Sequence, residues 1–142
     1  MEALAIKGVL FAGTNIFASM IYDIYGLLKD TTTHPMVFSV MVELDLEADL
    51  KVIEALVAQF NLENFEAEHP VTISLKNVEE MISKIKSEMI DIKTIADSHK
   101  QKWFHYWRNP DCKPQLKRLT RNKKILDKRV DMLIDLLKVS EL

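Results

Sequence analysis

A chain of 142 residues, 48% of them apolar, can bury one sizeable core without staples and is expected to form a single domain. Three glycines and four prolines are too few for the turns of an all-β chain, and helix formers dominate, so the class is all-α. A net charge of −2 argues against a generally nucleic-acid-binding chain, and a single cysteine, Cys112, excludes an internal disulfide framework and points to a reducing, cytoplasmic compartment.

The small net charge hides a dipole. Glu43 to Glu68 holds eight acids and one lysine, a net of −7, whereas Lys100 to Arg129 holds eleven bases and two acids, a net of +9. Such segregation fits two faces that meet within or between molecules, a basic face for phosphate, or simply solvated helix faces. The opening Met-Glu-Ala-Leu lacks the basic region of a secretory signal. The uncharged run between Lys7 and Asp23 has 15 residues, short of the roughly 18–20 a spanning helix needs.

The first helix is expected over 3–28. Ala5, Gly8, Ala12, Asn15, Ser19 and Gly26 form a small-residue stripe, and Ile6, Leu10, Phe17, Ile21, Ile24 and Leu28 a large one. Apolarity nearly all round suits a helix central in a bundle, with lipid insertion as a conditional second state. Asp30 to Pro35 breaks the pattern, with Thr33 as cap of a second helix over 36–61. The β-rich propensity of Met36 to Val42 leaves its state open. Glu43, Asp45, Glu47 and Asp49 alternate as metal ligands could on a strand, but on a helix that spacing scatters them, so no metal is expected.

After an acidic connection from Leu62 to Pro70, Thr72 or Ser74 can cap a third helix over 73–107. Its seam is Val78, Ile82, Ile85, Met89, Ile92, Ala96, His99, Trp103 and Tyr106, a four-three alternation as regular as a coiled coil. Pro110 ends it and Asp111 can cap a fourth helix over 112–138. There Leu116, Leu119, Leu126, Val130, Leu133 and Leu137 share one side, and Lys117, Arg118, Arg121, Lys123, Lys124 and Lys128 occupy the others. Long helices joined by short turns imply an elongated up-down four-helix bundle.

Little in the chain could carry catalysis. No glycine loop cradles phosphate, no cysteine pair suits zinc, and none of His34, His69, His99 and His105 pairs with another at metal-ligand spacing. His99 reads as a hydrogen-bonded core histidine. Cys112 is a bystander unless a base activates it. The chain is therefore expected to be no enzyme and to need no cofactor. Its sharpest local feature is Trp103-Phe104-His105-Tyr106-Trp107-Arg108. Four aromatics in five residues cannot all face one core. They suit a plug at the bundle end, an interfacial belt, or base stacking, the last weakened by the acidic second helix.

The run KQKWFHYWRN, a short Pro/Asp turn and KPQLKRLTRNKKILDKRVDMLIDLL together resemble the C-terminal helical hairpin of HeLo-type cell-death domains. That group includes the fungal HeLo domains, the four-helix domain of the mixed-lineage kinase-like necroptosis effector and the N-terminal helical domains of some plant resistance proteins. AIKGVLFAGTNIFASMIYDIYGLLK is similar to their small-residue-rich first helix. The resemblance spans about 3–30 and 75–138, and the acidic second helix departs from it. It implies a domain, part of a longer protein, held silent by a regulatory domain or protein. On activation it would self-associate, translocate and permeabilise acidic phospholipid membranes. The lipid-binding set it implies is Lys100, Lys102, Arg108, Lys113, Lys117, Arg118, Arg121, Lys123 and Lys124, with Phe11, Phe17, Phe104 and Trp107 as inserting side chains. The acidic second helix would cover the basic hairpin at rest. The alternative is a helical adaptor that binds another protein through its charged faces and has no membrane activity. Nucleic acid ranks third as a partner.

Overall fold

A computed structural model describes residues 17–59, 65–100 and 111–140. Within them the chain is all-helical. Helix α1 covers 17–30 and runs into a single 3-10 turn, Thr31–Thr33. Then come α2 (Pro35–Leu44), α3 (Leu46–Gln59), α4 (Pro70–Lys100) and α5 (Lys113–Ser140). The segment 36–42, left open by its propensity, is helical.

The first break is built by three threonines. The hydroxyls of Thr31, Thr32 and Thr33 donate to the carbonyls of Leu28, Lys29 and Asp30, at 2.6, 2.8 and 3.1 Å. Carbonyls that a helix end leaves without an intrahelical donor are thereby satisfied. Thr33 therefore closes α1 rather than capping the next helix. His34 holds the cap position in an extended conformation (φ −122°, ψ 95°), the region to which a following proline confines a residue. Pro35 then opens α2, where its missing N–H costs nothing.

The expected helix over 36–61 is two helices. Asp45 sits in the left-handed region (φ 50°, ψ 39°), its N–H donating to the Val42 carbonyl. Aspartate tolerates this conformation better than most residues, because its short side chain can bond locally. One residue thus ends α2 and begins α3.

The entry to α4 also differs from expectation. Helix α4 starts at Pro70, and the Val71 N–H donates to His69 Nδ1 at 3.1 Å. The His69 ring packs on Phe65 with centroids 4.7 Å apart. Thr72 reaches back from inside the helix to the Glu66 carbonyl at 2.7 Å, and Ser74 is buried, so neither is the cap. At the start of α5, Cys112 rather than Asp111 precedes the helix, its carbonyl accepting the Leu116 N–H at 2.9 Å.

Helix α4 has 31 residues and so spans about 45 Å. It pairs with the 28-residue α5 along its length. Arg118 meets Glu88 and Arg129 meets Glu80, so positions advance in opposite directions and the two helices are antiparallel. Val78, Ile82, Ile85, Met89, Ile92 and Ala96 are all buried, as the seam predicts. Leu116, Leu119, Leu126, Leu133 and Leu137 face them, while Val130 is half-buried. The seam includes a polar member the apolar pattern passes over, Asn122, which is also buried. Phe17, Ile21 and Ile24 of α1, Val37 and Met41 of α2, and Leu46, Leu50 and Ile53 of α3 complete the same core.

Candidate functional site

Between Lys113 and Arg129 the cations of α5 fall into three groups by helical angle. At about 100° per residue, Lys113, Lys117, Arg121, Lys124 and Lys128 lie within about 80° of arc. That arc is centred nearly opposite the leucine seam. All five are exposed, and none has an ion-pair or hydrogen-bond partner among the described residues. They form an outward stripe about 22 Å long.

The second group, Arg118 and Arg129, lies on the edge of α5 toward α4. Arg118 Nε donates to Glu88 Oε1 at 2.7 Å, and Glu88 is largely buried. Arg129 Nη1 donates to the Asn77 carbonyl at 2.8 Å and lies 3.6 Å from Glu80. The third is Lys123, on the opposite edge. Its ammonium sits 2.8 Å from Asp49 of α3 and 2.9 Å from Asp127. Burial alone would lower the Lys123 pKa, but the two carboxylates outweigh it and hold it above the ordinary lysine value. Burial pushes the Asp127 carboxyl up, and neighbouring Asp49 adds to this against the pull of Lys123.

The basic set implied by the resemblance is therefore divided. Lys113, Lys117, Arg121 and Lys124 stand outward together, whereas Arg118 and Lys123 are engaged in the fold. Lys128 joins the stripe, its four-residue spacing from Lys124 being visible in the sequence. Lys102 and Arg108 lie outside the described residues, as does the Lys100 side chain. Among the inserting candidates, Phe11, Phe104 and Trp107 also lie outside them. Phe17 is 1% exposed, packed in the core rather than presented to a membrane.

The acidic cover expected over the basic hairpin reaches one lysine of α5 within the described residues. Around α3, Asp49 points to α5. Glu47 and Glu54 lie roughly 140–160° away at about 100° per residue. Glu43, Asp45, Glu47 and Glu54 are exposed. Glu47 pairs with Lys51 on its own helix at 3.4 Å. The Tyr25 phenol lies beside Glu54, and burial followed by that carboxylate pushes its pKa up.

One further sequence expectation, at a histidine, changes. His99 is half-buried, and among the described residues the buried histidine is His34, whose Nε2 lies 3.7 Å from Asp97. Asp97 also accepts from Lys93 at 2.7 Å, and that contact, with His34 behind it, holds its carboxyl below the usual range. Cys112 is buried, and burial with Asp111 nearby pushes its thiol up, so the nucleophilic thiolate is disfavoured. Among the described residues no group of three or more His, Cys, Asp or Glu could hold a metal ion, and no helix is long and apolar enough to cross a membrane.

The stripe of Ser19 and Gly26 in α1 faces open space. A methyl group built on Gly26 would meet nothing within 4 Å. Beside it, Phe17, Ile21, Tyr25, Val57 and Glu54 line an open groove of about 440 Å³ between α1 and α3, with Tyr22 on its rim at 77% exposure.

Comparison with family models, curated proteins and solved structures finds no match to this chain.

Proposed function

We propose that this chain is a cytoplasmic signalling domain of the cell-death type that docks on acidic phospholipid through the outward stripe of α5. The observation that carries the reading is the set of five exposed cations on one helix face, none with a partner among the described residues. With α2 and α3 counted as one broken arm, the architecture is an up-down four-arm bundle whose last arm turns this stripe outward. On activation the domain moves from cytoplasm to membrane, self-associates and permeabilises the bilayer.

Magnitudes separate docking from permeabilisation. Near an acidic surface each Lys or Arg contributes about 1 kcal/mol, so five give about 5 kcal/mol. That is comparable to the reversible anchoring of a single acyl chain. Bringing Phe17, Ile21 and Ile24 of α1 out of the core through water costs about 5–9 kcal/mol. Docking alone therefore leaves α1 in place, and leakage requires a further step such as self-association.

Vesicle sedimentation tests the reading. The chain is expected to pellet with phosphatidylserine-containing vesicles and not with phosphatidylcholine alone. Lys117→Glu with Arg121→Glu is expected to weaken binding at least tenfold. Equal binding to both vesicle types, or no effect of the double reversal, would sink it.

A second reading is favoured by the open apolar groove between α1 and α3, which suits an amphipathic helix of another protein. A saturable complex with a soluble helical partner, lost with Tyr22→Glu on the exposed rim of the groove and accompanied by no lipid binding, would select that adaptor role.

A further inference from the structure

We infer that the stripe of α5, when no lipid is present, is occupied by the acidic edge of α3 from a second copy of this chain, in a head-to-tail contact that acidic phospholipid displaces. The displacement rests on the lipid reading above, whereas the contact itself does not.

Among the described residues the geometry leaves no intramolecular partner for most of the stripe. The carboxylates that flank α5 are already committed: Glu88 and Glu80 to Arg118 and Arg129 on one edge, Asp49 and Asp127 to Lys123 on the other. Glu47 and Glu54 lie on the side of α3 away from Asp49, by about 140–160° of helical arc. They cannot turn to α5 without breaking the Asp49–Lys123 contact. The stripe points away from its own core, and no carboxylate among the described residues pairs with it.

The second copy supplies that complement in sign and in spacing. Glu47 and Glu54 are seven residues apart, as are Lys117 and Lys124, so each pair is separated by about 10 Å along its helix. Two helices lying side by side therefore match both charges at once. Glu43 and Asp45, exposed at the α2–α3 joint, extend the acidic edge toward a further stripe cation. A net charge of −2 leaves little overall repulsion between copies. Because donor and acceptor patches are different surfaces, the contact is heterologous and builds chains or rings rather than a two-fold dimer.

Sedimentation velocity on the intact chain tests this. At about 50 mM salt the sedimentation coefficient is expected to rise with protein concentration. At about 500 mM, where screening is short-ranged, it is expected to fall to the monomer value. Lys117→Glu/Lys124→Glu and Glu47→Lys/Glu54→Lys are each expected to be monomeric at low salt. Mixing the two, or combining all four changes in one chain, is expected to restore association. Circular dichroism verifies that each variant keeps its helix content, and the salt series on the unaltered chain stands even if a variant does not fold. A monomer at both salt concentrations overturns the contact, as does association that survives the reversals or that the charge swap does not restore. Adding phosphatidylserine vesicles to the assembled chain is expected to break this α3–α5 contact, read as loss of carbodiimide cross-links between Glu47 or Glu54 of one copy and Lys117 or Lys124 of the next, whatever other self-association follows on the membrane. Cross-links between these residues that persist on the vesicles overturn the displacement alone. Lipid binding by a chain that never assembles overturns the contact and leaves the lipid reading intact.

Discussion

The α4–α5 hairpin and the α1–α3 layer are built from similar residues to different ends. In the hairpin, two uninterrupted seams face each other and the flanking charges pair across the helices, Arg118 with Glu88 and Arg129 with Glu80. In the layer, α2 and α3 are short, and the joints depend on single residues such as His34 and Asp45. Apolar side chains stay exposed in both regions, Tyr22 at 77% and Val42 at 60% in the layer, Val139 at 68% and Met132 at 58% in the hairpin. Regular heptads make a rigid platform that holds its spare cations outward. The broken layer leaves a groove and an acidic edge. The charge dipole of the chain is thus a division between a stiff basic element and a jointed acidic one.

The largest effect expected from breaking this contrast lies in the hairpin. Ile85 is wholly buried in the seam, and Ile85→Ala should cost about 2–5 kcal/mol, as truncations in well-packed cores do. Val42→Ala in the layer should stay within about 0.5 kcal/mol, because the side chain is already largely in water. Urea denaturation of the two variants measures the difference. Near-equal costs would mean that the seam at Ile85 is not packed as its burial implies.

How legible each region is in the sequence follows the same line. The seams from Val78 to Ala96 and from Leu116 to Leu137 repeat often enough for every turn to vote on the face, and there the periodicity is right. The joints are decided by one or two hydrogen bonds that periodicity does not register. Thr33 and Thr72 are good caps by type, yet both hydroxyls go to carbonyls behind them. His69 caps through a ring nitrogen, outside the usual capping residues. Asp45 breaks a pattern whose apolar residues continue on both sides, so nothing in hydropathy marks it. The stripe itself is readable from the spacing of Lys113, Lys117, Arg121, Lys124 and Lys128. That Lys123 and Arg118 are committed elsewhere is not, because it depends on which helices become neighbours.

A smaller effect tests the bridge between the two regions. Lys123→Met removes the cation between Asp49 and Asp127 and leaves two carboxylates facing each other. The cost should be about 1–2 kcal/mol near pH 7, at the low end because Asp127 remains 43% exposed. The pH dependence has a definite sign. The Asp127 pKa in the folded chain is already raised above its unfolded value, and loss of Lys123 raises it further. A carboxyl raised by folding binds its proton more tightly in the native state. Its stabilising contribution is therefore present below the unfolded value near 3.9 and lost as pH rises through the folded value. The deficit of the variant should accordingly shrink as pH falls toward about 4. A deficit that does not change with pH would mean that Lys123 acts through packing of its stem rather than its charge.

The smallest effect, and the only gain, is expected in the layer at Gly26. A glycine within a stripe of small residues suggests a backbone pressed against a neighbour. Here the position is helical and exposed, and an added methyl group meets nothing within 4 Å. Gly26→Ala then removes unfolded-chain entropy without any steric cost and should stabilise the domain by about 0.5–1 kcal/mol. Thermal denaturation by circular dichroism would register a rise of a few degrees, about 2–8 °C for a domain of this size. A fall instead would mean that α1 spends part of its time packed closely against another backbone at this face. In that case the small-residue stripe belongs to the assembled or membrane-bound state. Stability gained without loss of vesicle leakage would place that stripe outside the working parts and leave the function to the stripe of α5.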